Sequence, residues 1–155
     1  MAGITREKFI DYIRAFNSRD VQRQHSYYHP EIDLRLPEVA LHGSKEIIAH
    51  YDRLLANAEE TVVPITLLSN EGNTKLFFEM HTYFHYTADN ERGINDYALK
   101  RGDVVKLVVW AIYLVEGGKM RSITCNLFKS EILGQVDCNS AIHKSQAQAD
   151  QGLIV

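Results

Sequence analysis

The stretch Thr74-Lys75-Leu76-Phe77-Phe78-Glu79-Met80-His81-Thr82-Tyr83-Phe84-His85-Tyr86-Thr87 decides how this chain is read. Aromatic and branched side chains dominate it, and no Gly or Pro interrupts it, so it predicts one long strand. Side chains on a strand alternate between faces. Phe77, Glu79, His81, Tyr83 and His85 therefore share one face, and Leu76, Phe78, Met80, Thr82, Phe84 and Tyr86 the other. The second row is the greasier. The first lines up a carboxylate, two imidazoles and a phenol, groups suited to general acid-base work if that row borders a pocket. The same row would equally suit a solvated or subunit-facing surface.

More strands surround this one. Before it, 61–69 is rich in Val, Ile, Thr and Leu, with Pro64 pointing to an edge position or a bulge. Asn70 to Asn73 makes the turn between them. After it come a polar, mobile connection or frayed hairpin over 88–103, then the most apolar strand, 104–115. The hairpin turn Glu116-Gly117-Gly118-Lys119 leads to a last strand over 120–129. Nearer the N-terminus the period is helical. Thr5 caps a helix over 5–17 with Phe9, Ile13 and Phe16 on one stripe. Ser18 or Asp20 caps a second helix over 21–28, which Pro30 helps to stop. A half-buried strand over 31–36 and a turn or short hairpin over 37–43 follow. Ser44 then caps a third helix reaching about Glu60, with Ile47, Tyr51, Leu54, Leu55 and Ala58 on its stripe. Helices early and strands late predict an α+β, cone-shaped domain: three N-terminal helices on a curved, mostly antiparallel sheet, with a ligand cavity between the layers. The domain is expected to span 1–130. Residues 131–155 lose periodicity and fill with Ser, Gln, Ala and Asp, which predicts a loosely ordered tail.

Composition narrows the function. Apolar residues at 45% and charged residues at 24% are ordinary for one globular domain. With a net charge of −3 and no Lys/Arg cluster, nucleic acid is not an expected partner. Neither GxGxxG nor GxxxxGK[ST] occurs, so no nucleotide site is indicated, and no GxSxG marks a hydrolase. Cys125 and Cys138 form no CxxC pair, which fits a reducing cytoplasm. The longest apolar run is too short to span a bilayer, and residues 1–8 lack the core of a signal peptide, so no membrane partner is expected. His81 and His85 sit four apart, which on a strand is about 13 Å, too far to share one zinc ion, and no metal is expected.

The helix-helix-strand-helix-sheet order resembles the SnoaL-like and ketosteroid-isomerase-like branch of the nuclear transport factor 2-like superfamily over residues 5–129. The runs Tyr28-His29-Pro30-Glu31-Ile32 and Gly43-Ser44-Lys45-Glu46-Ile47-Ile48 carry the resemblance. It implies a cofactor-independent isomerase or cyclase of a polyketide-like or meroterpenoid-like molecule, working by proton transfer beside a carbonyl, and a homodimer. A scytalone-type dehydratase and a non-catalytic binding or dimerisation module are the alternatives. The resemblance places Tyr12 at an oxyanion tyrosine, Tyr28 and Tyr51 at supporting tyrosines, Asp20 at a second-helix acid and Pro37 at a proline. It departs at the acids: Leu36 stands where the isomerases carry their catalytic Asp, and Trp110 or Ala111 where they carry an oxyanion-supporting Asp. The proton-transfer group must then lie elsewhere. Anchoring Asn73 to the equivalent turn points the odd row inward, so His81, His85, Glu79, Tyr51 and Tyr12 are the expected catalytic residues. Tyr28, Leu34, Leu36, Tyr83, Trp110 and Asn126 are expected to contact substrate.

Overall fold

The computed structural model describes residues 2–93, 97–153 and 155. The elements run α1 (Arg6–Asn17), α2 (Val21–His25), β1 (Tyr28–Arg35), β2 (Ala40–His42), α3 (Gly43–Leu54), β3 (Ala58–Ser69), β4 (Lys75–Tyr86), β5 (Val104–Glu116), β6 (Lys119–Gly134) and α4 (Cys138–Gln146). The strands form one six-stranded sheet in the order β2-β1-β6-β5-β4-β3. All neighbours are antiparallel except β1 and β6. The expected α+β cone is therefore the observed architecture.

Local chemistry explains most boundaries. Thr5 accepts the Lys8 N–H at the start of α1, and Asp20 accepts the Arg23 N–H at the start of α2. The α2 helix ends at His25, not Tyr28, because Tyr28 is already paired in the sheet opposite Met120. Ser44 does not cap α3. His42 occupies the cap position, and its backbone N–H donates to the carboxylate of Glu46 in the first turn of the helix. The third helix stops at Leu54, and Ala58, Glu59 and Glu60 join the ladder opposite Tyr86, His85 and Phe84. Pro64 lies in β3, an edge strand, where the register shifts between Pro64 and Thr66; both features spare its missing N–H. At the β5–β6 turn, Gly117 and Gly118 both adopt positive φ, as a tight two-residue hairpin requires. Of the polar connection over 88–103, Asn90 and Leu99 make an isolated bridge, and 94–96 lie outside the described residues.

The sheet is covered on both sides. Helices α1 to α3 cover one face, where Phe9 packs edge-on against Phe78 and Tyr113 at 4.8 and 5.0 Å. A smaller apolar cluster lies on the other face, where Cys138, Ala141 and Ile142 of α4 meet Val63, Ile65, Tyr83 and Val104. This corrects the expectation of a loose tail. Asp137 caps α4, the Asp150 N–H donates to the Ile65 carbonyl, and Leu153 is buried in the main core. No described helix is long and apolar enough to cross a membrane.

Candidate active site

A cavity of about 530 Å³ opens between the helical layer and the sheet. Helix α1 contributes Tyr12 and Phe16, α3 contributes Tyr51, and the inward faces of the strands contribute the rest. The inward row of β4 is Met80, Thr82, Phe84 and Tyr86. The β3–β4 register places Glu60 opposite Phe84 and Val62 opposite Thr82, so both of those β3 side chains also face in. Leu34, Leu36, Leu107, Val109 and Ile123 give apolar walls, and exposed Glu38, Arg53 and Arg92 stand among the lining residues.

Two polar features stand out inside. The first is a group of phenols. The hydroxyls of Tyr12 and Tyr28 are 2.9 Å apart, and the Gln24 amide donates to Tyr28 Oη at 3.1 Å. Burial pushes Tyr12, Tyr51 and Tyr113 well above the ordinary phenol value, so at neutral pH they are proton-bearing donors. The second is Glu60. The residue as a whole is half-buried, yet protein surrounds its carboxyl. Its Oε1 is buried with no hydrogen-bond partner among the described residues. Desolvation raises its pKa to about 8, with Arg19 opposing weakly. Glu60 in turn raises Tyr51 and Cys125 after burial does, so these three groups sense one another. Cys125, pushed up to about 12, is a protonated thiol. Burial also lowers the pKa of His50, among the cavity's lining residues, which leaves it neutral.

The profile of the SnoaL-like domain family matches residues 9–123. The chain belongs to the SnoaL-like domain family. A comparison with curated proteins returns no significant match. Among solved structures, a polyketide-cyclase candidate from Xanthomonas campestris pv. campestris is 18% identical with a TM-score of 0.65, covering 86% of this chain and 90% of that one. One from Pseudomonas putida KT2440 is 16% identical with a TM-score of 0.66, covering 92% and 97%. TerC, co-crystallised with polyporic acid, is 13% identical with a TM-score of 0.61, covering 91% and 96%. At these identities the likeness establishes the shared fold.

The SnoaL-like domain brings together about half of the residues expected from sequence. Tyr12, Tyr28, Tyr51, Leu34 and Leu36 line the cavity. Glu79, His81, His85, Tyr83, Trp110 and Asn126 do not, which corrects the expectation that the odd row faces inward. Across the outer face, Glu79 accepts from Thr66 Oγ1 at 3.0 Å and from Trp110 Nε1 at 3.1 Å. Asn126 sits opposite Trp110 on the same outer face and is exposed. His81 Nδ1 and Tyr83 Oη each lie 2.6 Å from Ser145 Oγ, and Tyr83 also donates to the Ala141 carbonyl. These two side chains therefore hold α4 to the sheet. His85 lies on the same row, half-buried, on the side of Asp137.

Sequence reasoning missed Glu60 and Gln24. The helical stripe that starts at Ser44 runs on to Glu60 in sequence, but the helix ends at Leu54. The signal was its parity with Val62, which becomes visible once the 61–69 strand is extended back to Ala58. Gln24 had no local signal beyond its position four residues before Tyr28.

Proposed function

We propose that this domain is an isomerase or cyclase that moves a proton beside a carbonyl of a polyketide-like or meroterpenoid-like small molecule in secondary metabolism. The observation that carries this reading is Glu60: a desolvated carboxyl, its Oε1 without a hydrogen-bond partner among the described residues, facing the same cavity as a set of neutral phenols. A buried acid without a partner is costly to keep, and active sites are where such groups collect. A pKa near the working pH lets one group both take and return a proton. The ionised Glu60 carboxylate removes a proton from the carbon next to the carbonyl, and the electron pair moves onto oxygen. Tyr12, Tyr28 or Tyr51 donates a hydrogen bond to that oxygen. Glu60 then delivers the proton to a different carbon, which isomerises the ligand. In a cyclisation, the enolate carbon instead attacks a second carbonyl of the same molecule, and the proton goes to the new alkoxide. The cavity volume lies within the range for small-molecule sites, and its apolar walls suit a fused-ring ligand.

Exchange of the α-protons of 2-tetralone in D2O, followed by NMR, tests the reading. The wild-type domain accelerates exchange above buffer. At least one of Tyr12→Phe, Tyr28→Phe and Tyr51→Phe lowers that acceleration by about 10²-fold, as expected for loss of one donor to a developing oxyanion. His81→Ala, whose ring lies outside the cavity, keeps the rate per folded molecule. A wild-type rate equal to buffer for 2-tetralone and a panel of related ring ketones, or a His81→Ala loss as large as that of the most impaired Tyr→Phe variant, would overturn it.

The proposed partner is a second copy of the chain. The outer sheet face carries Leu68, Trp110, Ile112, Leu114 and Phe128, all 40% exposed or more, and Trp110 stacks on Phe128 at 4.8 Å. An apolar surface of this kind favours burial against another protein. Light scattering should give twice the monomer mass. A double variant, Ile112→Glu with Phe128→Glu, should give the monomer mass; a wild type that is already monomeric would refute the dimer.

A further inference from the structure

Gln24 lies on α2, outside the cavity lining, and is 6% exposed. Its amide nitrogen is 3.1 Å from Tyr28 Oη, which is itself 2.9 Å from Tyr12 Oη. We propose that Gln24 is a positioning residue, whose amide donates to Tyr28 and so keeps a phenolic proton of the Tyr12–Tyr28 pair aimed at an anionic oxygen of the ligand.

The argument is a count of protons. Three phenols meet here, since Tyr12 bonds Tyr28 and also approaches Tyr113; three protons serve at most two bonds among them. Because Gln24 approaches Tyr28 as a donor, Tyr28 does not spend its proton on Gln24. With Tyr12 donating to Tyr28, the direction in which their bond raises Tyr12 and lowers Tyr28, the proton of Tyr28 is left over. Both rings line the cavity, so a ligand oxygen there can accept it. Without the amide, the buried side of Tyr28 Oη is bare, and its proton can turn away from the cavity. A donor feeding into a phenol also strengthens that phenol's own outgoing bond. The acidity of the phenols agrees. Burial raises both Tyr12 and Tyr28, but Tyr28 is raised less, since bonds from Tyr12 and Gln24 stabilise its ionised form. The ligand class that follows is an enolate or phenolate, and the proposal rests on the reading of the cavity as an oxyanion site.

The test uses p-nitrophenol, whose ionised form is read by its visible absorbance, and 4-nitroanisole as a ligand of the same shape with no ionisable oxygen. The readout is the ratio of the two affinities, which a purely structural role for Gln24 would leave unmoved. Gln24→Met keeps the side-chain length and removes the donor. It is expected to lower the ratio by roughly threefold to tenfold, the worth of one hydrogen bond. Tyr28→Phe is expected to lower it by at least as much, and Gln24→Met in the Tyr28→Phe background should add nothing. Thermal unfolding of each variant confirms that the folded protein is compared. If Tyr28→Phe lowers the ratio and Gln24→Met does not, the Gln24 assignment fails alone. If none of Tyr12→Phe, Tyr28→Phe and Tyr51→Phe changes it, the oxyanion reading fails and takes this proposal with it; if only Tyr51→Phe does, the reading stands and this proposal fails alone.

Discussion

Glu60→Gln slows α-proton exchange of 2-tetralone by about 10²- to 10⁴-fold, the usual worth of a positioned acid-base group. The substitution keeps the shape of the side chain and removes the group that ionises. In the wild type the rate should rise with pH and level off above about 8, because only the ionised carboxylate accepts the proton. The Gln variant should show no such rise. Stability moves the other way. The folded state holds the Glu60 proton up to about pH 8, whereas the unfolded chain releases it near the ordinary carboxyl value of 4.5. Unfolding is therefore favoured as pH climbs from 4.5 through 8, by at most roughly 1.4 kcal/mol per unit and less where water in the cavity screens the charge. Glu60→Gln should flatten that slope and unfold at a higher temperature than the wild type at pH 8. Kinetics and thermal melts from pH 5 to about 9 check both statements. A variant within threefold of the wild-type rate would remove Glu60 from the mechanism.

Deleting residues 137–155 should cost roughly 5 kcal/mol or more, about the whole stability of a small domain. The deletion removes Leu153 from the main core, worth roughly 1.5–3 kcal/mol. It also strips α4 from Val63, Ile65 and Tyr83. His81, only 5% exposed, would lose the Ser145 hydroxyl that meets its Nδ1. Because such a truncation can fail to fold at all, Ser145→Ala is the sharper probe. It leaves Tyr83 its bond to the Ala141 carbonyl but removes the partner of His81, and should cost about 1–3 kcal/mol. Chemical denaturation measures the loss, and exchange activity per folded molecule should stay at the wild-type value. An unchanged midpoint for Ser145→Ala would show that the hydroxyl does not hold the helix.

The sequence carried much of this in readable form. Thr5 and Asp20 announce two helices through their side-chain caps, and Pro64 announces an edge strand through the N–H it lacks. The α4 helix was harder to see. Cys138, Ala141, Ile142 and Ser145 do follow helical spacing, but three of the four are small or weakly apolar, so the stripe disappears among Ser and Gln. That helix needs a preformed sheet face to dock on, and a sequence shows no such face.

By itself the sequence determined that residues 74–87 form a strand with two distinct rows, that helices precede most of the strands, and that tyrosines from separate segments could meet at one cavity. Only the tertiary structure decided which row lines the hollow. Alternation fixes that neighbouring side chains oppose each other, but inside and outside exist only once another layer covers a face. Here α1 to α3 cover one side and α4 part of the other, so His81 and Tyr83 are buried against α4, while the cavity receives Thr82 and Phe84. Glu60 reached the cavity in the same way, when β3 paired with β4 and turned that side chain, its Oε1 without a partner among the described residues, inward.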